Sequence, residues 1–396
     1  MKILQVVPYF YSAWSYGGIP RVSYHLSVSL AQLGIDVEVV TTDAHDEKNR
    51  RNELNFMING IPVRAYRNLS NHMAYHWQFF FPIGFGQEKY KISSYDLLHI
   101  HGHRNILNTL LSFWANRAGV PVILEPGGTL VNIERRKGFK SLYDLLLGNR
   151  QIERTDLFIA VSEAEKRQFL GLDIPKEKIK VVPNGILVEN PKPDMNFKES
   201  LGIKGDYILY LGKFTPRKGI EYIIEALNLI PNKNLYAVIA GNDMGVKSNL
   251  KKLAHKLGLS DHVLFPGLLN SPWKEAAYRE ALVTVYPGEY EIFGLVPFES
   301  ILCGTSVIVA NDSGCGEWVD KSGGGYLVPF GDPQAIADVV FQLDPVVEKE
   351  RIEKAQTWIM KNLTWEQIAR QMISIYEELV KEKIDREKYI SKSKNG

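Results

Sequence analysis

Short runs of apolar and β-branched residues recur along the first half of the chain, each ending in Gly, Pro or a polar turn and followed by a segment with helical spacing. The runs are ILQVV (3–7), VEVVT (37–41), LLHI (97–100), VILE (122–125), LFIAV (157–161) and IKVV (179–182). Strands that alternate with helices are typical of βαβ units, whose mostly parallel sheet is covered on both faces. The pattern therefore predicts a doubly wound α/β domain over residues 1–187.

The same alternation begins again beyond a segment rich in Pro, Asn and charged residues, which we interpret as a linker over residues 188–204. The later runs are YILYLG (207–212), LYAVIAG (235–241), HVLFPG (262–267), LVTVYPG (282–288) and SVIVA (306–310). Because the order of elements is the same in both halves, a second doubly wound domain over residues 205–363 is the simplest interpretation.

The last periodic segment predicts a helix over residues 364–385, followed by a charged tail that we expect to fray. Its apolar residues share one helical face: Trp365, Ile368, Ala369, Met372, Ile375, Tyr376 and Leu379. A helix with one such face needs a partner surface to cover it.

Composition narrows the class of protein. With 396 residues, 45% of them hydrophobic, the chain is long enough for two domains. The net charge of +2, spread without long blocks, argues against nucleic acid as a partner. Cys303 and Cys315 form no zinc pattern, and neither a cleavable leader nor an apolar run of about 18 residues is evident. We expect a reduced, cytoplasmic protein.

Ligands of open parallel sheets bind beyond the carboxyl ends of the strands, so the loops there are the candidate sites. The first strand is followed by a long loop that ends in Gly17 and Gly18 before a helix. Paired glycines at a helix start let backbone N–H groups approach a phosphate or sugar, although they serve equally well as a simple turn. The loop has no GxGxxG pattern, which argues against a nicotinamide-dependent dehydrogenase.

The stretch HIHGHR (99–104) places three histidines at alternate positions near the end of a strand. On an extended chain His99, His101 and His103 would share one face, a spacing that a metal site could use. No carboxylate lies in the same short loop, so we favour hydrogen bonding by His101 or His103 at the rim of a ligand cleft over metal binding.

A cluster of cations follows the first strand of the second half. Lys213, Arg217 and Lys218 lie between Gly212 and Gly219, just before a helix. Cations are less favourable at the start of a helix than at its end, so a bound anion would explain their position better than a solvated helix start would. The cluster is a candidate diphosphate clamp.

The stretch EYEIFGLVPFES (289–300) sets Glu291 and Glu299 on either side of a helix start at Leu295. Backbone amides around Gly294 and Leu295 could bind a phosphate. Glu299 has apolar neighbours along the helix, and a buried carboxylate needs donors. A ribose diol and a hexose would supply such donors, whereas a plain loop or surface role remains the alternative for both acids.

Taken together, these motifs resemble the retaining glycosyltransferases of family 4, which have the GT-B fold: two Rossmann-like doubly wound parallel-sheet domains that face a central cleft. The resemblance extends over nearly the whole chain. It rests on the order and spacing of GGIPRVSYHLSVSLAQLG, DLLHIHG, VVPNG, YLGKFTPRKGIEYIIEAL, LYAVIAG, HVLFPG, EIFGLVPFE, CGTSVIVANDSGCGEWV and GGYLVPFGDP.

The resemblance implies a role for each matching residue. Glu291 would contact hydroxyls of the donor sugar, and Glu299 would hold the ribose. The diphosphate would be bound by Lys218 and by amides of the Phe293-Gly294-Leu295 step, with Gly17-Gly18 across the cleft. Lys213, at the position where relatives commonly have arginine, would assist in binding the diphosphate. The last helix would return to the first domain. No metal cofactor is expected, since no DxD-like cradle follows a strand.

The sugar end of the site departs from the family pattern. Relatives often have a histidine where this chain has Gly127 in EPGGTL, so Glu125 next to it is a candidate substitute on the sugar or acceptor side. The expected function is hexosyl transfer from a UDP- or GDP-linked sugar to a glycan, a lipid-linked or a small-molecule acceptor. A nucleotide-sugar epimerase and a non-catalytic sugar-nucleotide-binding protein remain alternatives.

Two stretches of the first domain bear on the acceptor. Residues 71–90 are dense in aromatic side chains and RRKGFK (135–140) in cations. They suggest peripheral contact with the inner face of the cell membrane or with a lipid-linked acceptor. Packing of the aromatics beneath a long loop explains the first stretch equally well.

Overall fold

The computed structural model describes residues 1–130, 143–188, 195–232 and 234–394, and the side chains of the last helix up to residue 385. The chain forms two compact units, one comprising Met1–Gly185 with Trp365–Gly396 and the other Ile186–Thr364. The basic stretch 135–140 lies outside the described residues.

The amino-terminal unit is built on an eight-stranded sheet in which only the edge pair is antiparallel. Its strands are β1 (Lys2–Val6), β2 (Asp36–Thr42), β3 (Asn55–Ile58), β4 (Ile61–Tyr66), β5 (Leu97–His101), β6 (Val122–Glu125), β7 (Leu157–Ala160) and β8 (Ile179–Val181). Their order in the sheet is β3-β4-β2-β1-β5-β6-β7-β8. The buried apolar runs predicted from the sequence form the six parallel strands other than β3 and β4.

The hairpin of β3 and β4 is an addition to the sequence-based prediction. Asn59 and Gly60 form its two-residue turn, with φ of 48° and 78°. An Asn-Gly pair with both φ values positive is a strong hairpin signal. The strands flanking it have mixed burial, because this is the edge of the sheet, and so lack the continuous apolar run on which the prediction relied.

Helices cover both faces of this sheet. They are α1 (Gly18–Gln32), α2 (Asn71–Trp77), α3 (Glu88–Lys91), α4 (Ile106–Arg117), α5 (Asn149–Glu153) and α6 (Glu163–Leu170), with a π-helical turn at Asp144–Gly148. Two buried clusters of apolar side chains form the core, one on each face. The described helices include none that is long and apolar enough to cross a membrane.

The carboxyl-terminal unit has a six-stranded, wholly parallel sheet in the order β11-β10-β9-β12-β13-β14. Its strands are β9 (Asp206–Leu211), β10 (Leu235–Ala240), β11 (Val263–Gly267), β12 (Val283–Tyr286), β13 (Val307–Ala310) and β14 (Gly325–Val328). Its helices are α7 (Phe197–Ser200), α8 (Ile220–Leu229), α9 (Lys247–Lys256), α10 (Trp273–Glu280), α11 (Leu295–Cys303), α12 (Gly314–Ser322), α13 (Pro333–Gln342) and α14 (Pro345–Asn362). Both units are Rossmann-like, as the alternation predicts.

The last helix, α15 (Trp365–Lys394), belongs to the amino-terminal unit. Trp365, Ile368, Ala369, Met372 and Tyr376 are buried in its core, and Ile375 and Leu379 pack against that core. The predicted apolar face is therefore confirmed. The helix continues beyond the predicted end at residue 385 because no Gly or Pro interrupts the chain before Gly396.

The stretch predicted as a linker differs from the structure at its end. Residues 189–194 lie outside the described residues, but α7 falls within the predicted 188–204. Its Phe197 is buried in the core of the carboxyl-terminal unit, and Glu280 accepts hydrogen bonds from the backbone N–H groups of Phe197 and Lys198. The Pro-rich composition that suggests a linker ends where this packing begins.

Candidate active site

Neighbouring strands β9 and β12 bring the two halves of the predicted donor site together. The loop after β9 contains a 3-10 turn at Pro216–Lys218, and the loop after β12 contains Glu291. A backbone hydrogen bond from the Glu289 N–H to the Arg217 carbonyl, 2.9 Å long, joins the two loops. Residues 73 positions apart in the chain thus become direct contacts.

Lys218, Glu291 and Tyr286 form a buried triangle at this junction. The Lys218 ammonium donates to Glu291 Oε1 at 2.6 Å and to the Tyr286 hydroxyl at 2.7 Å. The Tyr286 hydroxyl donates to Glu291 Oε2 at 3.1 Å. Burial, together with the charge of Glu291, raises the pKa of Tyr286 well above its usual value, so the phenol keeps its proton. Gly288 leaves room for the pair, because a Cβ there would lie 3.2 Å from Glu291 Cγ.

The helix start beside this triangle is open. Gly294 precedes α11 with φ of 72°, and no side chain caps the first turn. Uncapped N–H groups at a helix start attract an anion. The Phe293 ring is buried and stacks on Phe298 at 5.1 Å, so Phe293 can offer only backbone groups to a ligand. The N–H of Cys315, in the first turn of α12, donates to the Glu291 carbonyl at 3.0 Å and ties the loop before α11 to the start of α12.

The other two cations of the cluster differ in whether they form an ion pair. Arg217 Nη1 lies 3.7 Å from Glu291 Oε1, and its side chain is 39% exposed. Lys213 is exposed and makes no ion pair with any residue that the structure describes. Gly212 continues β9, and its N–H donates to the Ala240 carbonyl. A diphosphate reaching this loop would therefore meet one uncommitted ammonium group and two cations that already share a carboxylate.

Glu299 lies on α11 with 31% of its side chain exposed. Its Oε2 accepts a hydrogen bond from the Tyr278 hydroxyl at 3.0 Å and from the Lys274 ammonium at 3.1 Å. The carboxylate is thus half-buried and held by two donors from α10, which leaves its other oxygen available for a ligand.

In the amino-terminal unit, Gly17 and Gly18 form the start of α1. Gly17 has φ of 116° and no side chain caps the helix. A Cβ at either glycine would meet no atom within 4 Å, so the loop faces open space. The geometry fits a helix start that is accessible to a ligand, and the role of this loop in donor binding remains a prediction.

The three histidines of HIHGHR are buried in the amino-terminal unit. His101 is 2% exposed, with Nε2 2.6 Å from Gln5 Oε1 and Nδ1 3.3 Å from Glu125 Oε2. Glu125, the proposed sugar-side substitute, is itself buried and also contacts His99 at 3.1 Å. His101 and Glu125 therefore each have an internal partner, and their role towards a substrate remains a prediction.

His103 is separated from the other two histidines by a turn at Gly102, whose φ is 77°. Its side chain is fully buried and lies 3.5 Å from Asp144, which also forms an ion pair with Arg104 at 2.8 Å. The role of His103 beside a ligand likewise remains a prediction. Gly127, in contrast, is exposed, and the adjacent Gly128 N–H donates to Glu165 at 2.7 Å.

Three residues of the site are absent from the sequence-based prediction. Tyr286 is the last residue of a buried strand, a position where a polar tip is a recognisable signal. Lys274 and Tyr278 lie one turn apart on α10, and only the packing of that helix against α11 brings them to Glu299. No local pattern would have identified these two.

The aromatic stretch 71–90 contains both buried and exposed side chains. Phe80 and Phe85 are buried, as in packing beneath a loop. Trp77, Phe81 and Ile83 are between 43% and 55% exposed, as on a contact surface. The buried members fit packing beneath a loop, and a contact role for the exposed members remains a prediction.

Comparison with known proteins identifies the class. A family model described as "Glycosyltransferase Family 4" matches residues 16–190, and one described as "Glycosyl transferases group 1" matches residues 191–343. The chain belongs to the group 1, family 4 glycosyltransferases with the GT-B fold. It is accordingly a glycosyltransferase that takes its sugar from a nucleotide sugar.

Individual relatives are distant. An uncharacterized glycosyltransferase of Methanocaldococcus jannaschii is 26% identical over 95% of this chain and 98% of its own length. The D-inositol 3-phosphate glycosyltransferase of Thermobispora bispora is 25% identical over 91% and 90%. Among solved structures, Anabaena HepE in complex with UDP has a TM-score of 0.72 at 18% identity, covering 96% of this chain and all of its own. Sucrose-phosphate synthase of Thermosynechococcus elongatus has a TM-score of 0.70 at 19% identity, covering 96% and 99%.

Proposed function

We propose that this enzyme transfers a hexosyl group from a UDP- or GDP-linked sugar to an acceptor hydroxyl, with retention of the anomeric configuration. The acceptor class is a glycan, a lipid-linked or a small-molecule alcohol. The observation that carries the proposal is the buried Lys218–Glu291–Tyr286 triangle beside the uncapped start of α11. It combines a fixed cation, a carboxylate and free backbone donors at the carboxyl ends of adjacent strands.

The leaving group sets the main chemical demand. Departure of a nucleoside diphosphate builds negative charge on the β-phosphate, and preorganised donors stabilise such charge most effectively when they are shielded from water. Lys218 and the first-turn amides of α11 would supply those donors, assisted by Lys213 and Arg217. In this proposal no metal takes part in the transfer step.

The two carboxylates would bind different parts of the donor. Glu291 is held by Lys218 and Tyr286 with its oxygens fixed in direction, so it can accept hydrogen bonds from sugar hydroxyls. Glu299, fixed by Tyr278 and Lys274 on α11, would accept from the ribose hydroxyls. Anabaena HepE, a solved structure of similar fold, is in complex with UDP-glucose, which supports a nucleotide sugar as the donor.

A donor panel tests the proposal. Purified protein is incubated with UDP-, GDP- and ADP-linked hexoses, each with and without sugar, inositol phosphate and lipid-linked acceptors, and release of nucleoside diphosphate is measured. We expect release from a UDP- or GDP-sugar only when an acceptor is present. Conversion of a donor without acceptor would indicate an epimerase, and binding without any turnover would indicate a non-catalytic protein; either result would contradict the proposal.

A further inference from the structure

A second polar cluster, separate from the donor residues, lies in the amino-terminal unit at the carboxyl ends of β5 and β6. The parallel register places His101 opposite Glu125, and His99 lies two residues earlier on the same face of the sheet. His99, His101 and Glu125 are each at least 90% buried, and their ligand atoms all lie within 4.8 Å of one another. The carboxylate that the local sequence lacks is thus supplied by the neighbouring strand.

The distances in this cluster suit a tetrahedral ion. Glu125 Oε2 lies 3.1 Å from His99 Nε2 and 3.3 Å from His101 Nδ1. Zinc bonds of about 2.0–2.2 Å place tetrahedral ligand atoms about 3.3 Å apart. Two imidazoles and one carboxylate, with a further position for water, form a familiar ligand set for a divalent transition metal.

The outward nitrogens of both rings are oriented by further partners. His101 Nε2 lies 2.6 Å from Gln5 Oε1, so in the neutral ring this nitrogen carries the proton and Nδ1 presents its lone pair towards Glu125. His99 Nδ1 lies 2.7 Å from the hydroxyl of Tyr376 on α15. Ligand histidines are usually fixed in this way by a hydrogen bond on the nitrogen that does not bind the metal.

Hydrogen bonding alone leaves the cluster incomplete. His99 Nε2 is buried and has no hydrogen-bond partner among the described residues, although Glu125 Oε2 lies 3.1 Å away. A buried polar atom without a partner destabilises the fold, so a ligand at this nitrogen would be favourable. Glu125 also lines a small cavity together with Asn184 and Trp365, which gives room for a water molecule.

We propose that His99 Nε2, His101 Nδ1 and the Glu125 carboxylate bind one divalent transition-metal ion, of which Zn²⁺ is the first candidate. The ion would fix the ends of β5 and β6 and, through His99 and Tyr376, the helix α15. Its role is structural. This proposal departs from the sequence-based expectation of no metal, which included the preference for hydrogen bonding over metal binding at HIHGHR.

Metal analysis of the full chain, purified without a histidine tag, tests the site. After removal of bound metal with a chelator, the protein is titrated with ZnCl₂ against a chromophoric indicator, and the zinc content is measured by mass spectrometry. We expect one equivalent of zinc in the wild type and loss of binding in Glu125→Gln. In Tyr376→Phe, which removes only the orienting hydroxyl, we expect affinity to fall by about 10- to 100-fold.

The chain offers a matched control for adventitious binding. His72 and His76 lie one turn apart on α2, with ring centroids 4.4 Å apart, and could bind zinc at the surface. The double variant His72→Asn/His76→Asn should retain the full equivalent, and Co²⁺ in place of zinc should give the visible absorption of a four-coordinate site. Zinc binding that survives in a folded Glu125→Gln variant, or that vanishes with the surface pair, would overturn the proposal. All readouts are independent of transferase activity.

Discussion

The ammonium group of Lys218 carries a large share of the proposed chemistry. It is 8% exposed and bonded to both Glu291 and Tyr286. Burying a lysine side chain is costly unless its charge is paired. The buried position of Lys218 therefore favours a role in anion binding over a solvated helix start. A donor diphosphate would compete with Glu291 for this ammonium and leave the carboxylate to the sugar hydroxyls.

Replacement of Lys218 tests that assignment at a single residue. Lys218→Ala should lower kcat by roughly 100- to 1000-fold, as for loss of one contact to a developing oxyanion. The matched control is Lys198→Ala, which removes a surface ion pair with Asp206 in the same unit and should leave kcat unchanged. Steady-state kinetics with the donor found in the panel provide the measurement. Near-normal turnover in folded Lys218→Ala would refute the clamp.

A pH effect on stability is expected from Glu38 in the amino-terminal unit. Burial alone would raise the pKa of Glu38, but hydrogen bonds from Lys2, Tyr95 and Arg64 lower it to about 2. A carboxyl whose pKa is lower in the folded state stabilises the protein above its unfolded value, and this contribution is lost as the pH falls through the folded value. The loss should therefore occur between about pH 4.5 and pH 2.

Glu38→Gln should lower the free energy of unfolding at pH 7 by about 2 kcal/mol and flatten its dependence on pH below about 4.5. Urea unfolding at pH 7 and pH 3.5 provides the comparison. Glu353→Gln, at an exposed position on α14, is the control and should leave both values unchanged. An identical pH dependence in Glu38→Gln and the wild type would show that this cluster does not contribute.

At the scale of elements, the start of α11 depends on Gly294. A Cβ there would lie 3.0 Å from Cys315 Sγ and 3.3 Å from the Tyr286 ring. Gly258 has the same φ of 72° but would meet no atom within 4 Å. A comparison of alanine variants at the two glycines therefore distinguishes the effect of backbone strain from the effect of crowding at the start of α11.

Gly258→Ala should lose about 1 kcal/mol of stability, because alanine is disfavoured at positive φ. Gly294→Ala should lose more, because its Cβ would also crowd Cys315 and Tyr286. Only Gly294→Ala should also weaken binding of UDP or GDP, on the order of tenfold, which equals about 1.4 kcal/mol. Calorimetric titration and urea unfolding of both variants measure the two effects. Equal nucleotide affinity in the two variants would show that the helix start does not bind the diphosphate.

The strands and helices also differ in how well the sequence pattern predicts them. Strands such as β5 and β9 are predictable because most residues of each run are apolar, and α15 is predictable because its apolar residues repeat with helical period. The hairpin β3–β4 was signalled by Asn59-Gly60, but its half-exposed strands lack an apolar run. Local periodicity predicts buried elements well and edge elements poorly.

At the scale of the whole molecule, the site was predictable in part. The family motifs indicated Lys218, Glu291 and Glu299, since each lies in a loop or helix directly after a strand. The contacts among them were not predictable, because they depend on which strands are neighbours in the sheet. The same limit applies to His101, because its contact with Glu125 depends on the register of β5 and β6.

The central claim is acceptor-dependent, retaining transfer from a nucleotide sugar. Proton NMR of the reaction, with the donor and acceptor found in the panel, follows the anomeric signals of donor and product directly. We expect a product with the anomeric configuration of the donor, formed only when the acceptor is present. A product of opposite configuration, or loss of the donor signal without any acceptor, would contradict it.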